Sequence, residues 1–270
     1  MKYEIDTIPV WDALRAGSEC PLCLLEKRSR QAALRYYLGP SVMVPEVRVS
    51  VNETGFRPET LRLLARDPNK LGLALISHTR LKAFRTKLAA KTRALRQEAG
   101  KASAVNALQG LVAGRSLHDR VAETVAFLRH EETRCLVEEK VRQDLARYTF
   151  TLLHLWQKDA EFRPAWSTAS GTCLRHAPDL LEMAAQTLDA RALGAFVTEY
   201  LKLMEKNLAR VEEDVLAFTQ TFDSTQSRPV VGNPQGALDR CLQKIAGLFP
   251  EYEDESRGRK GPLMGGVSGA

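Results

Sequence analysis

With 270 residues, 44% of them apolar and 27% charged, the chain can bury a real core as one large or two smaller globular domains. No run approaches the roughly 18 apolar residues of a membrane span, and five cysteines are too few and too uneven for a secreted disulfide framework. The net charge of +6 is not spread evenly, so its meaning depends on where the basic residues fall.

The opening Met1-Lys2-Tyr3-Glu4-Ile5-Asp6 lacks the basic-then-apolar layout of a secretion signal, so a cytoplasmic location is expected. Residues 1–19 read as a lead-in whose Ile8, Val10, Trp11 and Leu14 dock on the main body. Pro21 suits the first turn of a helix, where its missing N–H would be unpaired anyway. That helix runs to about Leu38, and Gly39-Pro40 stops it. A short helix follows over 45–51, Gly55 breaks the chain, and Pro58 opens another helix to about Arg66. Leu71 to Ala99 reads as one amphipathic helix, with Leu75, His78, Leu81, Phe84, Leu88 and Leu95 at helical spacing.

Gly100 to Ser116 is rich in small residues and reads as a joint. A helix from near Leu117 is expected to continue into the segment that carries Cys135. Trp156 and Trp166 flank a break at 159–164. Leu193, Val197, Tyr200, Met204, Leu208, Val211, Val215, Phe218 and Phe222 recur in steps of three and four, an amphipathic helix of about eight turns. A Ser/Pro/Gly linker follows from Asp223, and 234–249 forms a short helix. Residues 251–270 are acidic, then basic, then Gly-rich, and are expected to be disordered. No strand pattern carries conviction, so the fold class is all-α.

Shifting the sequence by 112 positions lays Cys23–Leu38 on Cys135–Phe150 with seven of sixteen residues identical, where chance gives about one. Gly55 then meets Gly171, and Leu71-Gly72 meets Leu193-Gly194. The expected organisation is two tandem copies packed together: lead-in 1–19, repeat 20–100, linker 101–116, repeat 117–222, linker and short helix 223–250, and tail 251–270.

Cys173 and His176, three apart, fall on one helix face, as do Glu132 and Cys135. Cys, His and carboxylate are all zinc ligands, and four of them close a structural site. The expected metal set is therefore Cys135, Cys173, His176 and Glu132, with His130 or Glu131 as substitutes for Glu132. Cys20 and Cys23 supply only two ligands and read as a degenerate second site. At a helix N-terminus they are also chemically reasonable as a redox pair. The overlay sets Arg57 and Thr60 where the second copy has Cys173 and His176, and Glu132 where the first has Cys20. Each copy keeps what the other has lost.

Ile5-Asp6-Thr7-Ile8-Pro9-Val10-Trp11, Cys20-Pro21-Leu22-Cys23, Leu71-Gly72-Leu73-Ala74-Leu75 and Gly171-Thr172-Cys173-Leu174-Arg175-His176 resemble a family of uncharacterised bacterial proteins. That family is a domain of unknown function, sometimes labelled ABC-transporter-associated, and the resemblance spans roughly residues 1 to 247. Its pattern, C-x-x-C followed by G-F-C-x-x-H, twice, implies two four-ligand sites of zinc-finger type. This chain departs from it at Gly55-Phe56-Arg57-Pro58-Glu59-Thr60 and at Glu132.

Enzyme signatures are missing. His130-Glu131 begins an H-E-x-x-H pattern that fails at Arg134. No P-loop, Rossmann glycine pattern, nucleophile elbow or deaminase motif occurs, and His78, His118 and His154 read as structural. Between residues 80 and 101 eight basic residues stand against the single acid Glu98. Arg80, Lys82, Arg85, Lys87, Lys91 and Arg93 are thus candidates for contact with a nucleic acid or another polyanion. The expected function is a non-enzymatic cytoplasmic helical scaffold or binding module, stapled by a zinc-type site in the second repeat, with a protein or a nucleic acid as the candidate partner. A nucleic-acid-associated protein is the first alternative, and a thiol-redox or metal-dependent enzyme the second.

Overall fold

The computed structural model describes residues 4–104, 110–222 and 232–247. Its regular structure there is twelve α-helices and one 3-10 turn, with no strand among the described residues. They are α1 (Glu4–Arg15), α2 (Pro21–Leu38), the 3-10 turn (Pro40–Met43), α3 (Pro45–Glu53), α4 (Pro58–Leu64), α5 (Lys70–Lys91) and α6 (Arg93–Ala104). The second series is α7 (Gly110–Thr133), α8 (Leu136–Lys158), α9 (Phe162–Thr168), α10 (Ala177–Thr187), α11 (Ala190–Gln220) and α12 (Ala237–Ala246). The expected all-α class holds. The tail at 251–270, most of the linker after Asp223 and residues 105–109 lie outside the described residues.

Local chemistry sets the helix ends. Proline opens α2, α3 and α4, where an N–H has no intrahelical partner. Asn69 and Asp189 cap α5 and α11 by accepting from Gly72 N and Ala192 N at 2.8 and 2.9 Å. The helix expected over 71–99 is broken at Thr92. There the backbone leaves helical geometry (φ −90°, ψ 1°), and the Thr92 hydroxyl donates back to Leu88 O at 2.8 Å. Such back-bonding competes with the backbone ladder and bends helices. Within 101–116, the expected joint, residues 101–104 belong to α6 and 110–116 to α7, and these two helices pack together. Nor does α7 continue into α8; Arg134 and Cys135 separate them.

The chain divides into two compact units. One combines the residues through Lys27 with those from Asp144; the other is Arg28–Gln143. These boundaries fall inside α2 and α8, and so cut across the repeats as the sequence delimits them. The first unit is organised on the buried face of α11. Phe196, Tyr200, Leu203 and Met204 pack with Trp156, Phe162, Trp166 and Leu180, and with Val10 of α1 and Leu22 and Leu25 of α2. Phe196 stacks on Tyr200 at 5.6 Å and meets the edge of Trp156 at 5.1 Å. Each such side chain contributes about 1.5–3 kcal/mol by leaving water. Trp11 closes the N-terminal end, edge-on to Phe162 at 5.0 Å with its indole N–H donated to Asp159. Residues 1–19 therefore include a core helix as well as a lead-in.

The second unit buries Leu38, Val42, Val51, Leu64 and Ile76 in one cluster, and Ala33, Cys135, Val137 and Val141 in another. Leu34, Tyr37 and Phe56 pack against both. On α5, Ile76 turns inward and Leu81 is exposed.

Candidate metal centre

Four donors converge in the first unit: Cys20, Cys23, Cys173 and His176, all buried, with ligand atoms within 4.8 Å of one another. Cys20 stands just before α2 and Cys23 in its first turn, so Pro21 positions both thiols at the helix N-terminus. Cys173 and His176 do not lie on a helix face. They close a turn ahead of α10, in which His176 N and Ala177 N both donate to Cys173 O at 3.2 and 3.0 Å. His176 then forms the N-cap position of α10. The same three-residue spacing serves, by a different backbone.

His176 Nδ1 lies 3.3, 3.4 and 3.6 Å from the sulfurs of Cys23, Cys173 and Cys20. Cys23 and Cys173 sulfurs are 3.5 Å apart. In a tetrahedral zinc shell, bond lengths of about 2.3 Å to sulfur and about 2.0 Å to nitrogen give edges of about 3.5–3.8 Å. The cluster is thus compatible with zinc in donor chemistry and in size. None of the cysteines is paired in a disulfide.

The electrostatics describe crowding. Hydrogen bonding with Cys173 and Cys20, with burial, pushes the Cys23 thiol far up. Hydrogen bonds from Cys20 and Cys23 hold Cys173 far down. Burial alone would lower the His176 pKa, but its bonds to Cys173, Cys20 and Glu26 lift it to about 11. A divalent ion at this point would supply the positive charge that stabilises ionised sulfur ligands.

A surrounding layer fixes the donors. With Nδ1 directed at the sulfurs, His176 Nε2 is 3.0 Å from Arg175 Nη2 and 3.4 Å from the Glu26 carboxylate, which itself pairs with Arg175. A carboxylate behind a ligand histidine sets its tautomer and orientation. Thr172 Oγ1 and the Tyr200 hydroxyl are 2.5 Å apart, tying the Cys173 loop to α11. Fully buried Lys244 of α12 donates to Glu19 O at 2.8 Å and Ser170 O at 2.6 Å, joining the two ligand segments, and pairs with the Glu19 carboxylate at 3.1 Å. Gly247 ends α12 at φ +70°, and a Cβ there would stand 3.2 Å from Cys23 Sγ and 3.4 Å from Cys173 Sγ. Only glycine brings backbone this close in that conformation.

The expected grouping is revised in two of its four members. Cys135 and Glu132 belong to the Arg28–Gln143 unit. There Cys135 Sγ is 3.3 Å from Thr60 Oγ1, in an apolar setting of Ala33, Val137 and Val141. Glu132 is exposed. Glu131, the weighed substitute, is buried and held by Arg80 and Lys87. The physical reason is that α7 ends at Thr133, so Glu132 and Cys135 share no helix face. Cys20 and Cys23, read as a degenerate pair, take the two places in the cluster.

Arg57, where the overlay has Cys173, donates to Thr133 O at 2.8 Å. Leu61 N donates to Arg57 O at 2.9 Å, as Ala177 N does to Cys173 O, and Gly55 and Gly171 both have positive φ, 78° and 73°. Lys82, Arg85, Lys91 and Arg93 are exposed. Glu26, Lys244 and Gly247 escaped sequence reading; only the glycine after an amphipathic helix leaves a local mark.

Fold and site define an all-helical protein with a buried three-cysteine, one-histidine cluster that could hold a metal ion. The chain belongs to the Family of unknown function (DUF6062), which it matches over residues 1–252. Nothing among the curated proteins or the solved structures matches it. Among the described residues no helix is long and apolar enough to cross a membrane.

Proposed function

We propose that this protein is a non-enzymatic helical binding module whose first unit is stapled by zinc on Cys20, Cys23, Cys173 and His176. The observation that carries the reading is the full complement of four buried protein donors from two segments about 150 positions apart. A shell filled by protein leaves no position for substrate, which is the structural pattern, whereas catalytic zinc keeps one position open. The three sulfurs are unpaired, which suits a reducing, cytoplasmic setting.

We further infer that the chain arose by duplication and that its ligand pairs cross between copies. The C-x-x-C of the first repeat works with the C-x-x-H of the second. The complementary combination, Glu132 and Cys135 with Arg57 and Thr60, has traded metal ligation for the Thr60–Cys135 contact and the Arg57 hydrogen bond. Seven identities and the matching glycine turns support this. The unit boundaries, inside α2 and α8, are those such an exchange produces. A partner protein is expected to use the surface that this rigid unit presents.

The test is elemental analysis with thermal unfolding, before and after a chelator. The reading expects about one zinc per chain and a large drop in Tm on its removal, since metal binding energy is folding energy. Full stability without metal overturns it.

A further inference from the structure

The basic segment is not uniform. Arg80 and Lys87 turn to Glu131, and Lys101 pairs with Glu98 at 2.8 Å. Lys82, Arg85, Lys91, Arg93 and Arg96 remain exposed, with no ion-pair partner among the described residues. Three of them, Arg85, Arg93 and Arg96, line a cavity of about 730 Å³ that follows α5 across the break at Thr92 into α6. Thr86, Ala89 and Ala90 complete its lining, and Gln97 adds an uncharged donor.

We propose that this cavity binds the sugar–phosphate backbone of a single-stranded nucleic acid. Guanidinium forks match phosphate oxygens in pairs, and among the described residues no carboxylate pairs with the arginines here. The small side chains of Ala89 and Ala90 in the lining let an extended backbone lie close to the helices. Residues 85 to 96 span at most about 17 Å along helices that break at Thr92, room for up to about three phosphates. A concave site favours a single strand, because the phosphates of a duplex follow a convex cylinder and reach only the rim. A membrane surface fits poorly, since an interfacial helix inserts Trp, Phe or Leu and this lining has none. Without an aromatic ladder for base stacking, recognition is indifferent to sequence and electrostatic. The arginines belong to the Arg28–Gln143 unit and the metal cluster to the other, so this inference stands apart from the zinc reading.

The experiment is fluorescence anisotropy of labelled oligo(dT) with the full chain at about 50 and about 200 mM salt. Three phosphate contacts on a single strand give a log–log slope near −2, a loss of about 20-fold over that range. The variant R85Q/R93Q/R96Q abolishes binding with its melting temperature unchanged. R62Q/R66Q/R129Q, which removes the same charge from exposed positions elsewhere, keeps it. No binding at the lower salt, equal loss in both variants, or displacement of the oligonucleotide by phosphatidylserine vesicles or duplex DNA at equal phosphate would overturn the proposal.

Discussion

Cys23 Sγ stands 3.3 Å from His176 Nδ1, although the two residues are separated by 153 positions. Nothing in the local spacing of either motif brings them together; the docking of α2 against the Gly171–His176 loop does.

Cys173→Ser removes a ligand, and Cys135→Ser removes a thiol of the other unit. The first is expected to abolish stoichiometric zinc after gel filtration. The second keeps it and lowers stability by about 1 kcal/mol through the Thr60 contact. Metal loss in both variants would return Cys135 to the ligand set.

Glu26→Gln leaves all four donors in place but weakens the carboxylate behind His176. Zinc affinity, measured by competition with a chelating dye, is expected to fall about 10–100-fold with the helical content unchanged. An unaltered affinity would make Glu26 a partner of Arg175 alone.

The closure by α12 rests on Lys244 and Gly247. Lys244→Met leaves the Glu19 and Ser170 carbonyls and the Glu19 carboxylate short of a donor, although Arg210 still pairs with that carboxylate at 2.6 Å. A loss on the order of 3 kcal/mol is expected from chemical denaturation. Gly247→Ala forces a side chain into left-handed backbone beside two sulfurs and loses about 1–2 kcal/mol. Stability equal to the parent in both variants would show that α12 does not support the cluster.

Glu131 predicts an acid limit for the second unit. Burial would raise its pKa, but hydrogen bonds from Lys87 and Arg80 outweigh this and hold it below the ordinary carboxylate value. A depressed folded pKa means stability that is fully present above the unfolded value, about 4.3, and lost as pH falls through the folded one. Glu131→Gln should therefore melt lower than the parent at pH 6 and converge with it in strong acid. Parallel pH curves would contradict the pairing.

Much of this was legible in the sequence. Proline and glycine marked most helix boundaries, and the period of α11 was plain, although its buried face runs through Phe196 and Leu203, beside the expected Tyr200 and Met204. The break at Thr92 was hidden, because a hydroxyl that bonds back to Leu88 leaves no trace in an apolar pattern. Cys173 and His176 stand out by spacing, but their partners do not, since local spacing pairs them with Cys135 and Glu132 rather than with residues about 150 positions away. A signal is present in the sequence overlay: an intact C-x-x-C in one overlaid segment and an intact C-x-x-H in the other. Lys244 was illegible, as a lysine on a short amphipathic helix ordinarily faces water.

Zinc-edge X-ray absorption on protein purified without chelator tests the central claim most directly. The account predicts a shell of three sulfurs at about 2.3 Å and one nitrogen at about 2.0 Å. A shell of oxygen and nitrogen only, or no bound zinc, would contradict it.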